Sequence, residues 1–339
     1  MNVAVSSSRL PWAALCSKGM SWLMDIILHL GAHRCGSTSF QHYLRGNQAY
    51  LEKDGTAVWE PRVTRDGLVS GLFAKPTKLN ARDLQRRAMG RVHLKARRAE
   101  REGAKRLVMS DENVIGTPRS CIRTGELYPE IGERMARLDA AFKGQVGRVL
   151  LNVRSLDLWW SSAAAFTVGR GHPFPTDKRL HDISNSKRTW KDVVTDLACA
   201  LPNAEIKVLP FEEFVGRSDK ILFHATNRDA PTNLADCWLN RSPDKAELRA
   251  ELAERGILEK DFPVGIDQSE GRWSPFDPIQ NSKLREAYAD DIMWLAAGAD
   301  GLATLTEDTS RKRTGTSLSA GTVRKGQPHD EETDKRRLA

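Results

Sequence analysis

Hydrophobic residues recur along this chain in two rhythms. Compact apolar runs occupy Asp25 to Leu30 (DIILHL), Lys105 to Ser110 (KRLVMS) and Arg148 to Val153 (RVLLNV), the pattern of strands buried on both faces of a parallel sheet. Thr56 to Trp59 and Glu205 to Leu209 (EIKVL) read as shorter strands of the same kind. Between these runs, apolar residues return at helical intervals. Phe40, Tyr43, Leu44 and Leu51 mark a helix over Ser37 to Glu52. The same spacing predicts helices over Ala81 to Glu102, weakened or broken near Gly90, and over Thr124 to Phe142, Ser155 to Val168 and Thr189 to Leu201. Asp244 to Arg255 and Ser282 to Ala297 follow as amphipathic helices. Strand and helix in alternation predict an α/β fold, a central parallel sheet flanked by helices in three layers.

Composition narrows the partners. The 339 residues are 40% hydrophobic and 28% charged, enough for a sizeable core under a polar surface. One folded domain over 25–306 is expected, between an N-terminal extension (1–24) and a flexible tail (307–339) rich in Ser, Thr, Gly and charge. The net charge of +8 favours anionic ligands without choosing among them. Five cysteines, with no CxxC pair and no Cys/His spacing suited to zinc, point to reduced thiols in the cytoplasm and to no metal. The apolar patch Pro11 to Cys16 is too short for an export signal, and no window reaches the ~20 apolar residues of a membrane span.

Chemistry enters where the first strand ends. Gly31-Ala-His-Arg-Cys-Gly36-Ser-Thr38 has the glycine spacing of a Walker phosphate loop, with a strand before it and a helix after. Ser37 stands where a nucleotide triphosphatase places its lysine, which argues against ordinary handling of an ATP γ-phosphate. Loop amides and the positive end of the following helix hold an anion whatever the side chain. Arg34 supplies a cation within the loop, and a guanidinium contacts more than one oxygen at once. Ser37, Thr38 and Ser39 add hydroxyls that either meet a ligand or cap the helix. A thiol-phosphatase reading of Cys35 needs an arginine six residues on, but position 41 is Gln41, so it fails.

The segment GAHRCGSTSFQHYL resembles the 5′-phosphosulfate loop of PAPS-dependent sulfotransferases, above all their divergent bacterial members. VLLNVRSLDLWWSS is similar to the family's 3′-phosphate motif, a strand ending in arginine with a serine eight residues later, here Arg154 and Ser162. Phe211 to Phe214 (FEEF) is similar to the family's Tyr-Glu-Asp-Leu-like segment, and the final third of the chain adds little. The resemblance implies a P-loop-like fold and a sulfotransferase-like catalytic domain over 25–306. It implies transfer of a sulfuryl group from PAPS, leaving PAP, to a hydroxyl or amine of a small molecule or glycan, with no metal and no nucleic acid. The implied cofactor-binding residues are Gly31, Arg34, Cys35, Gly36, Ser37, Thr38, Ser39, Arg154 and Ser162. Arg34 replaces the lysine of many cytosolic members; it keeps the charge but rarely gives up a proton.

For the proton acceptor Glu112 leads, because SDEN follows a buried strand whose end faces the ligand crevice of a parallel sheet; several family members similarly use a glutamate here. Asp111 is the near alternative, and His29, His33 and His93 are others. Arg34 and Glu112 are thus the expected catalytic pair. Trp159, Trp160 and Trp294 are expected in the core. Lys75 to Arg106 carries twelve basic residues against Asp83, Glu100 and Glu102, either a guide for an anionic acceptor or a solvated helix face. Arg324-Lys325-Gly326 matches a 3′-phosphate element of the family but reads as chance in such a tail. Two other functions stay open: a P-loop small-molecule kinase, and a non-catalytic nucleotide- or polyanion-binding protein.

Overall fold

All five apolar runs are strands, and a sixth, two residues long, completes the sheet. β1 (Asp25–His29), β2 (Thr56–Trp59), β3 (Arg106–Ser110), β4 (Val146–Val153), β5 (Glu205–Pro210) and β6 (Thr304–Leu305) pair in parallel in the order β2-β3-β1-β4-β5-β6. The fold is that of a computed structural model, which describes residues 24–308 apart from Pro76 and Lys78. The extension over 1–24, the tail over 307–339 and Arg324-Lys325-Gly326 lie outside the described residues, but for the inner ends of the first two.

Alternation along each strand explains the unbroken apolar runs. Ile26 and Leu28, Leu107 and Met109, and Val149 and Leu151 point into one core, with Ala88, Val92 and Ala96 of the helix Ala81–Arg101, Met135 and Leu138 of Ile131–Ala141, and Val193 and Leu197 of Trp190–Ala200. Ile27, Val108, Leu150 and Leu209 point into a second core, against Phe40, Tyr43 and Leu44 of the helix Ser37–Gly46 and Ile221 and Leu222 of Ser218–Thr226. A side chain on either face is therefore buried, and each such Leu or Ile contributes about 1.5–3 kcal/mol. The result is an α/β fold with a six-stranded parallel sheet between helical layers.

Several expected helices have other bounds, each for a local reason. Ser37 to Glu52 is two helices, Ser37–Gly46 and Gln48–Lys53. Asn47 separates them: its amide nitrogen donates back to the Tyr43 carbonyl (2.9 Å) and forward to the Asn233 carbonyl (3.0 Å), an alternative to helix continuation. Ala81–Arg101 runs unbroken through Gly90, where the ~1 kcal/mol propensity cost is outweighed by the buried Ala88 and Val92 on either side. Over Thr124 to Phe142 only Ile131–Ala141 is that helix; a shorter one, Pro118–Thr124, ends at left-handed Gly125 (φ 79°). The last long helix starts at Pro278 rather than Ser282, because Asp277 and Gln280 form a capping box. Trp159 and Trp160 are core residues as expected, but Trp294 is half-buried at the rim, with its indole N–H on Asp300 (2.8 Å).

The topology sets where a ligand can bind. β1 lies inside the sheet; its connection leads to β2 on one side, while that of β4 leads to β5 on the other. A crevice opens at the strand C-termini of such a switch point. Pairing continues beyond β1, since Leu30 N–H donates to the Leu150 carbonyl and Ala32 N–H to the Asn152 carbonyl, each at 3.0 Å. Beneath the crevice the His29 ring joins three strands, through Ser110 Oγ (2.8 Å) and Asn152 Oδ1 (3.1 Å). Among the described residues, no helix is long and apolar enough to cross a membrane, and no group of His, Cys, Asp and Glu could hold a metal.

Candidate functional site

The loop after β1 depends on backbone conformations that few side chains tolerate. Gly31 has φ 80°, and a Cβ there would sit 2.8 Å from Ser37 Oγ and 2.9 Å from Glu112 Cβ. A larger residue would therefore displace both the loop and the carboxylate beside it. Arg34 is left-handed at φ 62°, uncommon for a residue with a Cβ. Gly36 (φ 85°) opens the helix Ser37–Gly46, whose N-terminus has no side-chain cap. Amides of a first helical turn lack intrahelical partners, so the positive end of this helix is available to an anion.

The three hydroxyls do not cap the helix. Ser37 Oγ donates to the Ala32 carbonyl (2.9 Å) inside the loop. Thr38 Oγ1 accepts from the Asn240 side-chain amide (3.3 Å), and Ser39 Oγ accepts from Leu239 N–H (2.9 Å). Thr38 and Ser39 thus pin a distant segment, residues 238–242, over the loop. Gly36, Ser37 and Thr38 line the cleft, whereas Ser39 is buried under that segment. Cys35 is also buried: its N–H bonds to the Ala32 carbonyl (3.3 Å), and burial pushes its thiol up to about 12, so it is no thiolate nucleophile.

Two arginines that stand 120 residues apart in the chain meet here. Arg154 Nη1 donates to the Arg34 carbonyl (3.1 Å), and both guanidiniums line one cleft. Phe211 lies under Arg154 (4.6 Å to the ring centre) and Phe166 under Arg34 (4.9 Å). Arg34 donates through Nε to Ser162 Oγ (3.0 Å) and through Nη2 to Ser242 Oγ (3.1 Å), and the two serine hydroxyls bond each other. The motifs place Arg34 and Ser162 at opposite ends of a ligand, yet these side chains touch. The left-handed backbone at Arg34 and the face of Phe166 carry the guanidinium toward the helix Leu156–Gly169, which bears Ser162.

Positive charge dominates this part of the cleft. Burial, and then neighbouring Arg154, lower Arg34 to about 10, which leaves it charged at neutral pH. Arg272 is lowered by burial and by Arg154 in the same way. Arg154 Nε is buried with no hydrogen-bond partner, an orphaned donor beside like charges. The cleft holds about 570 Å³ of empty space, its solvent-open part included. A second cleft adjoins it across Arg154, Ser242 and Arg272 and adds Ser162 and Arg285. Sequence reasoning missed Ser242 and Arg272, which come from the final third of the chain, and also Phe166. Ser242 and Arg272 lie in loops without periodicity or motif, so no signal marked them.

The carboxylates sit at the other side of the loop. Asp111 is 1% exposed and spoken for: it accepts from the Thr64 hydroxyl, from Arg65 (2.7 Å) and from Asn113 N–H (3.0 Å), capping the turn Glu112–Ile115. Glu112 lines the cleft, with Gln41 on one oxygen (2.8 Å) and Arg65 on the other (2.9 Å). Burial alone would raise its pKa, but His33, Arg65 and Gln41 hold it below the usual carboxylate range. His33 also faces the cleft; its ring bonds Tyr128 OH (3.0 Å) and Asn113 Oδ1 (2.9 Å), and burial lowers its pKa. His29 lies beneath, lowered by burial to about 4, and His93 is on the helix Ala81–Arg101, so neither borders the cleft. No protein-family model matches this chain, and no curated protein matches it significantly.

Proposed function

We propose that this cleft binds adenosine 3′,5′-bisphosphate chemistry and that the protein is a sulfotransferase, moving a sulfuryl group from PAPS to a hydroxyl or amine of a small-molecule or glycan acceptor. One observation carries the reading: the orphaned Nε of buried Arg154 stands beside Arg34 and Arg272, where two adjoining clefts share their lining. Clustered guanidiniums with an unmet donor are stabilised by a multiply charged anion, and a nucleotide with separated phosphates supplies one to each cleft. In this assignment the loop amides of Gly36, Ser37 and Thr38, with Arg34, take the 5′ end. Arg154 and Ser162 take the 3′-phosphate. Arg34 would turn from Ser162 toward the loop when ligand arrives.

The donor, when bound, supplies a sulfuryl group: the acceptor oxygen or nitrogen bonds to sulfur, the bridging S–O bond breaks with its electron pair on the 5′-phosphate, and the acceptor proton goes to Glu112. Glu112, held ionised, is ready to take that proton without prior deprotonation. Arg34 keeps its proton and acts by charge, offsetting what builds on the leaving phosphate. The kinase alternative lacks the loop lysine, since Ser37 occupies its place and bonds back to Ala32.

Calorimetry with PAP, ADP and ATP tests the assignment. PAP is expected to bind at least about tenfold more tightly than ADP, a difference of ~1.4 kcal/mol from the 3′-phosphate. A preference for magnesium-ATP would favour the kinase.

A further inference from the structure

Glu112 does not stand alone, and an inference about its neighbour rests on the reading of Glu112 as proton acceptor. Arg65 comes from the irregular turn Thr64–Leu68, where Asp66 and Gly67 leave helical conformation. Its guanidinium is fixed from below by Asp111, through Nε (3.2 Å) and Nη2 (2.7 Å). Asp111 is itself held by Thr64 and the Asn113 amide. The same Nη2 reaches Glu112 Oε1 at 2.9 Å. A buried carboxylate thereby orients the guanidinium of a side chain that is 35% exposed against a second carboxylate that borders the cleft.

We propose that Arg65 is a positioning residue, clamped by Asp111, which fixes the orientation of Glu112 and sets how readily it accepts a proton. The groups around Glu112 are His33 from the phosphate loop, Gln41 from the helix Ser37–Gly46, Asp111 beside it, His29 of β1 and Tyr128 farther off, and Arg65. His33 favours the ionised carboxylate only while protonated, and burial keeps its own pKa low. Gln41 is neutral, so at neutral pH the positive charge in hydrogen-bond contact with Glu112 is that of Arg65. An opposing charge at this distance lowers basicity, and a fork anchored on a second carboxylate removes rotamer freedom.

The test reads the carboxyl group directly, by titrating the protein with ¹³C-labelled glutamate side chains and assigning Glu112 as the signal lost in Glu112→Gln. In Arg65→Met the Glu112 titration is expected to move up by about one pH unit or more, and Arg65→Lys, which keeps the charge, to return most of the shift. In a sulfuryl-transfer assay, Arg65→Met is expected to lower kcat about tenfold with little change in KM, its acidic limb moving up with the carboxyl signal. An unmoved Glu112 signal in a folded Arg65→Met protein would overturn the proposal; if that variant does not fold, Arg65→Gln and Arg65→Lys decide by the same readout. Failure of PAP to bind the unaltered protein would remove the nucleotide reading, yet the titration would still decide what Arg65 does.

Discussion

The two ends of the cleft manage charge in opposite ways. At the Glu112 end every formal charge has a partner: Asp111, Arg65 and Glu112 form a closed chain, with Thr64, Asn113 and Gln41 taking up the remaining bonds. At the Arg154 end Arg34, Arg154 and Arg272 line one cleft, Arg34 bonded to two neutral serines and Arg154 to a carbonyl, and the buried Arg154 Nε has no partner. A paired network is complete before ligand arrives; clustered like charges are complete only afterwards. On the proposed reading, the first end serves position and the second capture.

That contrast breaks if substitutions at the two ends behave alike. The largest expected effect is at the closed end. Asp111→Ala takes the buried anchor from the half-buried Arg65 and leaves the Thr64 hydroxyl and the Asn113 amide without their acceptor, costing about 3 kcal/mol of stability by urea unfolding, while PAP affinity stays within about threefold. Arg154→Ala should do the reverse. PAP affinity falls about a hundredfold, or ~3 kcal/mol, by calorimetry, and ligand-free stability changes by less than about 1 kcal/mol because a like-charge contact is relieved along with the lost bonds.

A smaller effect sharpens the comparison through pH. His29 titrates at about 4 in the fold against 6.5 unfolded. Between those values the unfolded chain binds the extra proton, so stability falls as pH drops from 6.5 toward 4. At pH 4.5 the loss relative to pH 7 is on the order of 2 kcal/mol from this group. The depressed Glu112 contributes stability that persists above the unfolded carboxylate pKa and goes only as pH falls through its lower folded value. Unfolding of His29→Gln at both pH values should show that much less acid loss than the unaltered protein; an equal loss would mean that His29 is not the acid-sensitive group.

The sequence announces the fold better than the site. Strands covered on both faces must be apolar at nearly every central position, so DIILH and RVLLNV are legible without context. The loop is legible because its glycines answer a local need, at Gly31 the closeness of Glu112 and Ser37. Arg154 and Ser162 are legible as neighbours in one cleft because the end of β4 and the helix that follows it fix their spacing. Ser242, Arg272 and the pinning of residues 238–242 by Thr38 and Ser39 were not legible, since a loop held by such contacts carries no period in its sequence. Gly90 misled for the opposite reason: a weak local preference was overruled by helix packing on the sheet.

A crystal structure of the chain with PAP tests the central claim most directly. The account predicts a single nucleotide spanning the wall between the clefts, its 5′-phosphate on the amides of Gly36 to Thr38 and its 3′-phosphate on Arg154, with the Arg34 to Ser162 bond broken. A nucleotide confined to one cleft, with Arg154 Nε still lacking a partner, would contradict it.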